Sequence, residues 1–246
     1  LESQTKMFDG RRILAVVPAR GGSKGIRLKN LRPVLGVPMV SRVGGIVKEL
    51  EWLDRSVVST DHDEIAQVAE AAGLAAPFRR PEELSGDRIG DLEVLAHALE
   101  TTEELDGCRY DIVVMLQPTS PLRRAEHVTA AVAKLVDENW DAVWTVSRTD
   151  SKAHPLKQLT VDNDGRMDYY DPEGGKIIAR QQLQPVYHRN GIAYAITRSC
   201  LLEQGLVKGE RTGALVLEGN FVSIDTEWDI DLVEFVLRQN EAGSKS

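Results

Sequence analysis

The sequence contains little cysteine, no long hydrophobic run and no excess of positive charge. Its 246 residues include 2 cysteines, Cys108 and Cys200, and neither belongs to a C-x-x-C pair or to a cluster with histidine. That pattern argues against a disulfide scaffold and against a thiolate metal site. No apolar run approaches the roughly 18 residues of a membrane span, and the N-terminus lacks the features of a signal peptide. We therefore expect a cytoplasmic protein that does not bind a membrane, with residues 1–10 as a flexible leader.

The charge balance limits the partners of the chain. There are 30 Lys and Arg residues against 38 Asp and Glu residues, which gives a net charge of −8 and a pI near 5.3. Such a chain has no overall field that would attract nucleic acid, so a polyanion must bind at a local basic site. The 42% of hydrophobic residues suffices for a substantial core. The length favours one domain, which we place at residues 11–246.

Short apolar runs alternate with helical patterns along the chain. Residues 13–19 are apolar without interruption, as expected for a parallel strand that is covered on both faces. Further strands are predicted at 56–59, 111–116, 142–146, 191–196 and 221–224, and helices at 39–50, 61–72, 91–105, 125–138 and 227–239. Asp61 and Glu64 have the spacing of a capping box at the start of the second helix. The alternation predicts an α/β fold with a doubly wound, mostly parallel, Rossmann-like sheet that binds ligands beyond the carboxyl ends of its strands.

Residues 148–189 interrupt this alternation. They are polar and carry the turn signals Asn163-Asp164-Gly165 and Glu173-Gly174-Gly175. We interpret them as an inserted, hairpin-like arm or lid within the same domain.

A glycine-rich basic segment follows the first predicted strand. It has the sequence Arg20-Gly21-Gly22-Ser23-Lys24-Gly25 and is followed by Lys29 and Asn30. Adjacent glycines let backbone amides turn inward, and three cations within ten residues suit a polyphosphate. The segment matches neither the P-loop pattern nor the dinucleotide-binding pattern, which argues against both of those folds. A flexible basic loop without a ligand is the alternative.

Two further polar segments follow predicted strands. In residues 116–123, Pro118 and Pro121 restrict the backbone around two hydroxyl residues, which makes a stiff rim that could hold Gln117 at a ligand. An ordinary rigid connection is the alternative. Asp225, after the last predicted strand, could bind Mg²⁺ through its carboxylate. Helix capping and compensation of the helix dipole by Asp225, Thr226 and Asp229 are the alternative there.

Taken in order, these segments resemble the acylneuraminate cytidylyltransferase family, the CMP-sialic acid synthetases. The resemblance extends from about Ile13 to Leu237 and is carried by residues 20–30, 59–61, 80–84, 116–123, 154–157, 180–183, 190–191 and 223–225. It implies Mg²⁺-dependent coupling of CTP to a 2-keto sugar acid, a nonulosonic acid such as N-acetylneuraminate, with release of pyrophosphate. A nucleotidyltransferase with another acceptor, or a non-catalytic nucleotide-binding homologue, remains the alternative.

The resemblance also implies residue roles. Catalysis would involve Arg20, Lys29 and Asp225, the last of these as the metal ligand. The nucleotide would be bound by Arg20, Gly21, Gly22, Ser23, Lys24, Lys29, Asn30, Arg80, Asp91 and Gln117. The sugar acid would be bound by Gln117, Lys157, Arg180, Gln182, His188, Arg189 and Tyr194. Because the arm of relatives reaches over the neighbouring subunit, a homodimer is expected.

Three positions depart from the pattern of the family. Ser223 stands where many relatives carry the first carboxylate of Asp-Ile-Asp. Residues 88–91 replace small hydroxyl residues near the nucleotide. The second sugar-facing arginine falls on His188, with Arg189 one residue later, and a shift of one residue on a strand reverses the face. The candidates for the acceptor are therefore N-acetylneuraminate, its deaminated relative, legionaminate, pseudaminate and 3-deoxy-manno-octulosonate.

Overall fold

The computed structural model describes residues 8 and 10–243, so most of the expected leader at 1–10 lies outside the described residues. Six α-helices are described: α1 (Met39–Lys48), α2 (Asp63–Ala72), α3 (Asp91–Asp106), α4 (Ala125–Asp137), α5 (Arg198–Leu202) and α6 (Glu227–Gly243). The described strands are β1 (Ile13–Pro18), β2 (Pro33–Val34), β3 (Val37–Pro38), β4 (Arg55–Ser59), β5 (Ile112–Met115), β6 (Ala142–Arg148), β7 (Leu159–Val161), β8 (Met167–Tyr169), β9 (Tyr187–Thr197) and β10 (Thr212–Val216). Among the described residues, no helix combines the length and the hydrophobicity needed to cross a bilayer.

The main sheet has six strands in the order β10-β6-β9-β5-β1-β4. Strand β1 pairs in parallel with β4 and β5, and β10 pairs in parallel with β6. Strand β9 runs antiparallel to both of its neighbours. The predicted α/β fold with a mostly parallel sheet is confirmed.

Two hydrophobic clusters cover the two faces of this sheet. Ile13, Ala15 and Val17 of β1 belong to the cluster that includes buried residues of α1, α2 and α4. Leu14 and Val16 of the same strand belong to the cluster that includes buried residues of α3 and α5. Because both faces of β1 are buried, its sequence is apolar at every position and not only at alternate ones.

The strand predicted at 221–224 is wrong. The described residues 217–226 contain no strand, and the edge strand β10 completes the sheet instead. Ile224 is fully buried in a third cluster with Ile26 next to the glycine-rich segment, Met39 at the start of α1 and Val233 on α6. The apolar run therefore reflects packing of a loop under α6 and not membership of the sheet.

The predicted capping box at the start of α2 is also wrong. The helix begins at Asp63, and its N-cap residue His62 makes no side-chain capping bond. Asp61 Oδ1 instead accepts a hydrogen bond from the backbone N–H of Gly21 at 2.8 Å. The carboxylate thus braces the glycine-rich segment and does not cap the helix.

Residues 149–186 form the arm. It contains the antiparallel pair β7–β8 and several short 3₁₀ turns. Its root is a two-stranded ribbon in which Arg148 of β6 pairs with Tyr187 of β9. Strand β9 then continues into the buried sheet, with a register shift between Trp144 and Val146 of its neighbour.

Candidate active site

A cleft of about 450 Å³ lies beyond the carboxyl ends of β1 and β5. The predicted site residues in its lining are Arg20, Ser23, Lys24, Lys29, Asn30, Arg80, Asp91, Gln117 and Asp225. These residues come from five separate segments of the chain, and the parallel strands bring the segments to one edge of the sheet. A volume of this order is typical of small-molecule sites.

Two hydrogen bonds hold the first two residues of the glycine-rich segment in place. Gly21 donates its backbone N–H to Asp61, as described above. Asn30 is buried, and its Nδ2 donates to the backbone carbonyl of Arg20 at 2.9 Å. Gly21 and Gly22, both expected to bind the nucleotide, are not part of the cleft lining. Asn30 therefore fixes the start of the turn, and Arg20 and Lys24 border the open space.

The glycine-rich segment and Asp225 approach each other in this cleft. Lys29 Nζ lies 2.8 Å from Asp225 Oδ1 and donates to the carbonyl of Ile224 at 3.0 Å. A Cβ atom at Gly25 would lie 2.5 Å from the carbonyl oxygen of Asp225, so only glycine permits this approach. The side chain of Lys29 is 15% exposed, whereas that of Asp225 is 76% exposed and open to a ligand.

Thr226 and Asp229, and not Asp225, cap the start of α6, where Thr226 Oγ1 accepts a hydrogen bond from the Asp229 N–H at 3.3 Å. Asp229 Oδ2 accepts hydrogen bonds from the backbone N–H groups of Asp225 and Thr226, at 3.0 and 2.7 Å. Ser223 Oγ donates to Thr119 Oγ1 at 3.4 Å. The carboxylate of Asp225 is thereby left free of a capping role.

Asp87 is a functional candidate that sequence reasoning missed. Its Oδ1 lies 2.8 Å from Arg20 Nη1, and its Oδ2 lies 2.6 Å from Lys24 Nζ. Hydrogen bonds from Lys24 and Arg20 lower the pKa of the Asp87 carboxyl below its ordinary value. Asp87 lines the cleft opposite the glycine-rich segment. In the sequence, the one indication of a role for Asp87 is its position shortly after Arg80 and Pro81.

Arg80 brings a buried positive charge to the cleft. Its Nε donates to Ser59 Oγ at 3.0 Å, and its Nη2 donates to the carbonyl of Ser59 at 2.6 Å. Burial lowers the pKa of Arg80 to about 10, so the guanidinium stays charged at neutral pH. Burial likewise raises the pKa of Asp91, at the start of α3, and the charges of Arg189 and Arg80 oppose that rise.

Gln117 is fixed to the rim by a buried arginine. Arg123 is 5% exposed and donates to the backbone carbonyls of Gln117, Gly191 and Ile192. Gly191 has a φ of 71°, and a Cβ atom there would lie 2.8 Å from Gln117 Oε1. Burial lowers the pKa of Arg123 to about 9. The resemblance included Arg123 in a matching segment, but its role as a clamp could be seen only in the structure.

The predicted sugar-binding residues of the arm are not part of the cleft lining. Lys157, Arg180 and Gln182 lie in 3₁₀ turns. Arg180 lines a second cavity of about 330 Å³ between the arm and the end of β6. Gln182 Oε1 accepts hydrogen bonds from the backbone of Ile178 and Ala179, at 2.8 Å each, and so closes a local turn.

The three predicted residues on β9 lie in different environments. His188 is exposed, and its Nδ1 lies 3.1 Å from Thr149 Oγ1. Arg189 packs its guanidinium over the ring of Trp144, 5.4 Å from the centroid, and acts electrostatically on Asp91 of the cleft. Tyr194 is buried, and its hydroxyl accepts a hydrogen bond from the Gly191 N–H at 3.0 Å. Arg189 therefore does not line the cleft, although its charge acts on Asp91, and Tyr194 has a core position.

Metal binding would depend on few protein ligands. Within the described part of the chain, no three His, Cys, Asp or Glu side chains form a cluster suited to a metal ion. Mg²⁺ is often bound by one or two carboxylates, with substrate phosphates and water supplying the remaining oxygens. One exposed carboxylate, that of Asp225, fits that mode of binding.

The sequence matches one protein family and is similar to several known enzymes. Residues 14–214 match the model of a family described as cytidylyltransferase. The chain is 32% identical over 235 residues to the CMP-N,N'-diacetyllegionaminic acid synthase of Legionella pneumophila, covering 94% of this chain and 98% of that protein. It is 28% identical over 224 residues to the N-acylneuraminate cytidylyltransferase of Escherichia coli, with 90% of this chain and 51% of that protein covered. It therefore spans about half the length of the latter relative.

A solved structure shares the fold. The CMP:2-keto-3-deoxy-manno-octonic acid synthetase complexed with CTP superposes with a TM-score of 0.67 at 20% sequence identity. The match covers 93% of this chain and 99% of the other.

Proposed function

The chain belongs to the cytidylyltransferase family, and from that premise we propose that it couples CTP to a 2-keto sugar acid of the nonulosonic class. The products are a CMP-sugar and pyrophosphate. The observation that carries the proposal is the convergence of the basic glycine turn and Asp225 on one open cleft. A CTP co-substrate also suits the cytoplasmic setting that we propose.

The reaction is an in-line displacement at phosphorus. The anomeric hydroxyl of the sugar acid attacks the α-phosphorus of CTP, a new C–O–P bond forms, and the bond from the α-phosphorus to the bridging oxygen of pyrophosphate breaks. The proton of the anomeric hydroxyl is released to water as the new oxygen–phosphorus bond forms. Such transfers are accelerated mainly by positioning and by charges that are already in place for the transition state.

The cations of the cleft suit these tasks. Arg20, Lys24 and Lys29 would bind phosphate oxygens, since all three border the open space. Arg80 would add a charge of fixed position, because two hydrogen bonds to Ser59 hold its guanidinium. A preorganised charge costs no reorganisation when the transition state forms.

Mg²⁺ is part of the proposal, with Asp225 as its protein ligand. The carboxylate is exposed and borders the same cleft as the phosphate-binding candidates. When bound, such an ion neutralises charge on phosphate oxygens. Lys29, at 2.8 Å from the same carboxylate, keeps Asp225 directed into the cleft.

We further propose a homodimer in which the arm contributes to the acceptor site. Lys157 and Arg180 lie outside the cleft lining of their own chain, yet a sugar carboxylate requires cationic partners. The arm also exposes large apolar side chains, among them those of Val161, Tyr170 and Ile178. Exposed apolar side chains mark an interaction site where they form a contiguous patch. An arm that reaches over a second copy of the chain accounts for both features.

A substrate panel tests the proposal. Purified protein would be incubated with Mg²⁺, with CTP and with each of the five candidate acids, and pyrophosphate release would be measured. We expect turnover with at least one acid and none when ATP, GTP or UTP replaces CTP. Turnover with another nucleotide and acceptor pair only would refute the proposal. Binding of CTP without any turnover would favour a non-catalytic homologue, which the serine at position 223 would then explain.

A further inference from the structure

The carboxylate of Asp87 forms ion pairs with two cations that a phosphate group would need. Its two carboxylate oxygens contact two different cations, Arg20 at 2.8 Å and Lys24 at 2.6 Å. Arg20 Nη1 also donates to the carbonyl of Ser85, at 3.4 Å, so the glycine turn is tied to the loop that carries Asp87. Two anionic oxygens, each held by one cation, reproduce the arrangement in which a phosphoryl group is bound.

The other cations of the cleft are held differently. Arg80 is anchored by Ser59, and its charge faces no carboxylate at contact distance in the described contacts. Lys29 contacts Asp225, the proposed metal ligand. This contact would persist when a ligand binds. Arg20 and Lys24 share one carboxylate, that of Asp87, which has no other proposed task.

The surroundings of Asp87 allow it to leave. Its side chain is 41% exposed and Lys24 is 81% exposed, so both contacts are open to solvent and to a competing anion. The carboxyl of an aspartate is ionised at neutral pH in any case, and the hydrogen bonds from Lys24 and Arg20 lower the pKa of Asp87 further. A triphosphate placed beside an ionised Asp87 would be repelled unless the carboxylate moved aside.

We propose that Asp87 is an internal counter-ion that holds Arg20 and Lys24 in the free protein and is displaced by the phosphates of CTP. This role rests on the proposed CTP site. An intramolecular competitor reduces the apparent affinity by the fraction of molecules in which the site is free. Asp87 thereby sets how tightly the cleft holds polyphosphates, including the pyrophosphate that must leave after each turnover.

Titration calorimetry on single-residue variants tests this role. Wild-type protein, Asp87→Asn and Asp87→Glu would each be titrated with CTP, inorganic tripolyphosphate and cytidine in the presence of EDTA. We expect Asp87→Asn to bind CTP and tripolyphosphate about 3- to 10-fold more tightly, with cytidine binding unchanged. Asp87→Glu keeps the negative charge and should bind CTP much as the wild type does.

A matched control removes the same charge elsewhere. Asp63 forms an ion pair with Arg79 at 2.9 Å and does not line the cleft, so Asp63→Asn should leave CTP binding unchanged. Thermal unfolding of all variants, with Asp87→Ser as a second replacement, would verify that they are folded.

Three outcomes would overturn the role of Asp87, and the third would also refute the proposed nucleotide site. Weaker or unchanged binding of CTP by a folded Asp87→Asn variant would mean that the carboxylate orders the two cations for phosphate instead of competing with it. In a parallel titration with Mg²⁺, the ion could strengthen CTP binding by the wild type but not by Asp87→Asn. That result would assign Asp87 to the metal. Failure of the wild type to bind either CTP or tripolyphosphate would instead refute the proposed nucleotide site, and the role of Asp87 with it.

Discussion

Substituting Gly25 by alanine should separate the glycine turn from Asp225. Gly25 does not have a left-handed backbone conformation, so alanine brings no backbone strain there. The added methyl group, however, would lie 2.5 Å from the carbonyl oxygen of Asp225. Ordinary contact begins near 3.4 Å, so the turn or the segment of Asp225 must move by about 0.9 Å.

The effect on activity should exceed the effect on stability. Overpacking by one methyl group costs about 1–3 kcal/mol of unfolding free energy. For a chain of this size that lowers the melting temperature by roughly 2–12 °C. A misplacement of about 1 Å at a reacting centre can reduce the rate by about 100-fold. We therefore expect kcat/KM to fall by about 100-fold in a variant that is still folded.

Gly22 provides the control within the same turn. A Cβ atom at Gly22 would meet nothing within 4 Å, so Gly22→Ala should keep kcat/KM within about 2-fold of wild type. Pyrophosphate release under steady-state conditions would be measured for both variants, together with thermal unfolding. Near-normal activity of Gly25→Ala, or equal damage from the two substitutions, would refute the idea that close contact between the turn and Asp225 matters for the reaction.

Three further substitutions test other parts of the site. Asp225→Asn should lower turnover by at least ~100-fold, because it removes a charge that the proposed metal requires, and near-normal turnover would exclude Asp225 from that role. Arg180→Ala should raise KM for the sugar acid by about 10-fold or more while KM for CTP stays the same, and equal losses for both substrates would contradict the separate acceptor role of the arm. Arg123→Met should lower the unfolding free energy by about 3–5 kcal/mol in urea titrations, because three carbonyls lose their donor, and a loss below about 1 kcal/mol would show that water replaces it.

The sheet could be predicted from the sequence because its central strands are apolar on both faces. The same criterion failed at 221–224, where the buried side chain of Ile224 belongs to a loop packed under α6. The edge strand β10 was missed since several of its residues are exposed and it contains Gly213. Hydrophobic pattern reports burial and does not report strand direction, so the antiparallel course of β9 could not be foreseen.

The site was predictable where a single segment carries its chemistry. The glycine turn combines its cations within a few residues, and the end of a buried strand indicated where it would lie. Contacts between distant segments left no such signal, as with the ion pair of Arg20 and Asp87, which lie 67 positions apart. Asp61 illustrates the same limit, because its spacing to Glu64 fits a helix cap while its carboxylate braces Gly21 across the edge of the sheet.

The arm leaves the sheet and returns to it at one closed neck, where Arg148 pairs with Tyr187. The chain between these two positions can change in length or sequence without pulling on the strands beneath the cleft, because both ends of the neck are fixed by the same ladder. Chimaeras joined at this neck would exchange the arms of two relatives while each keeps its own nucleotide cleft. Acceptor preference, if it resides in the arm, would then be transferred as one module.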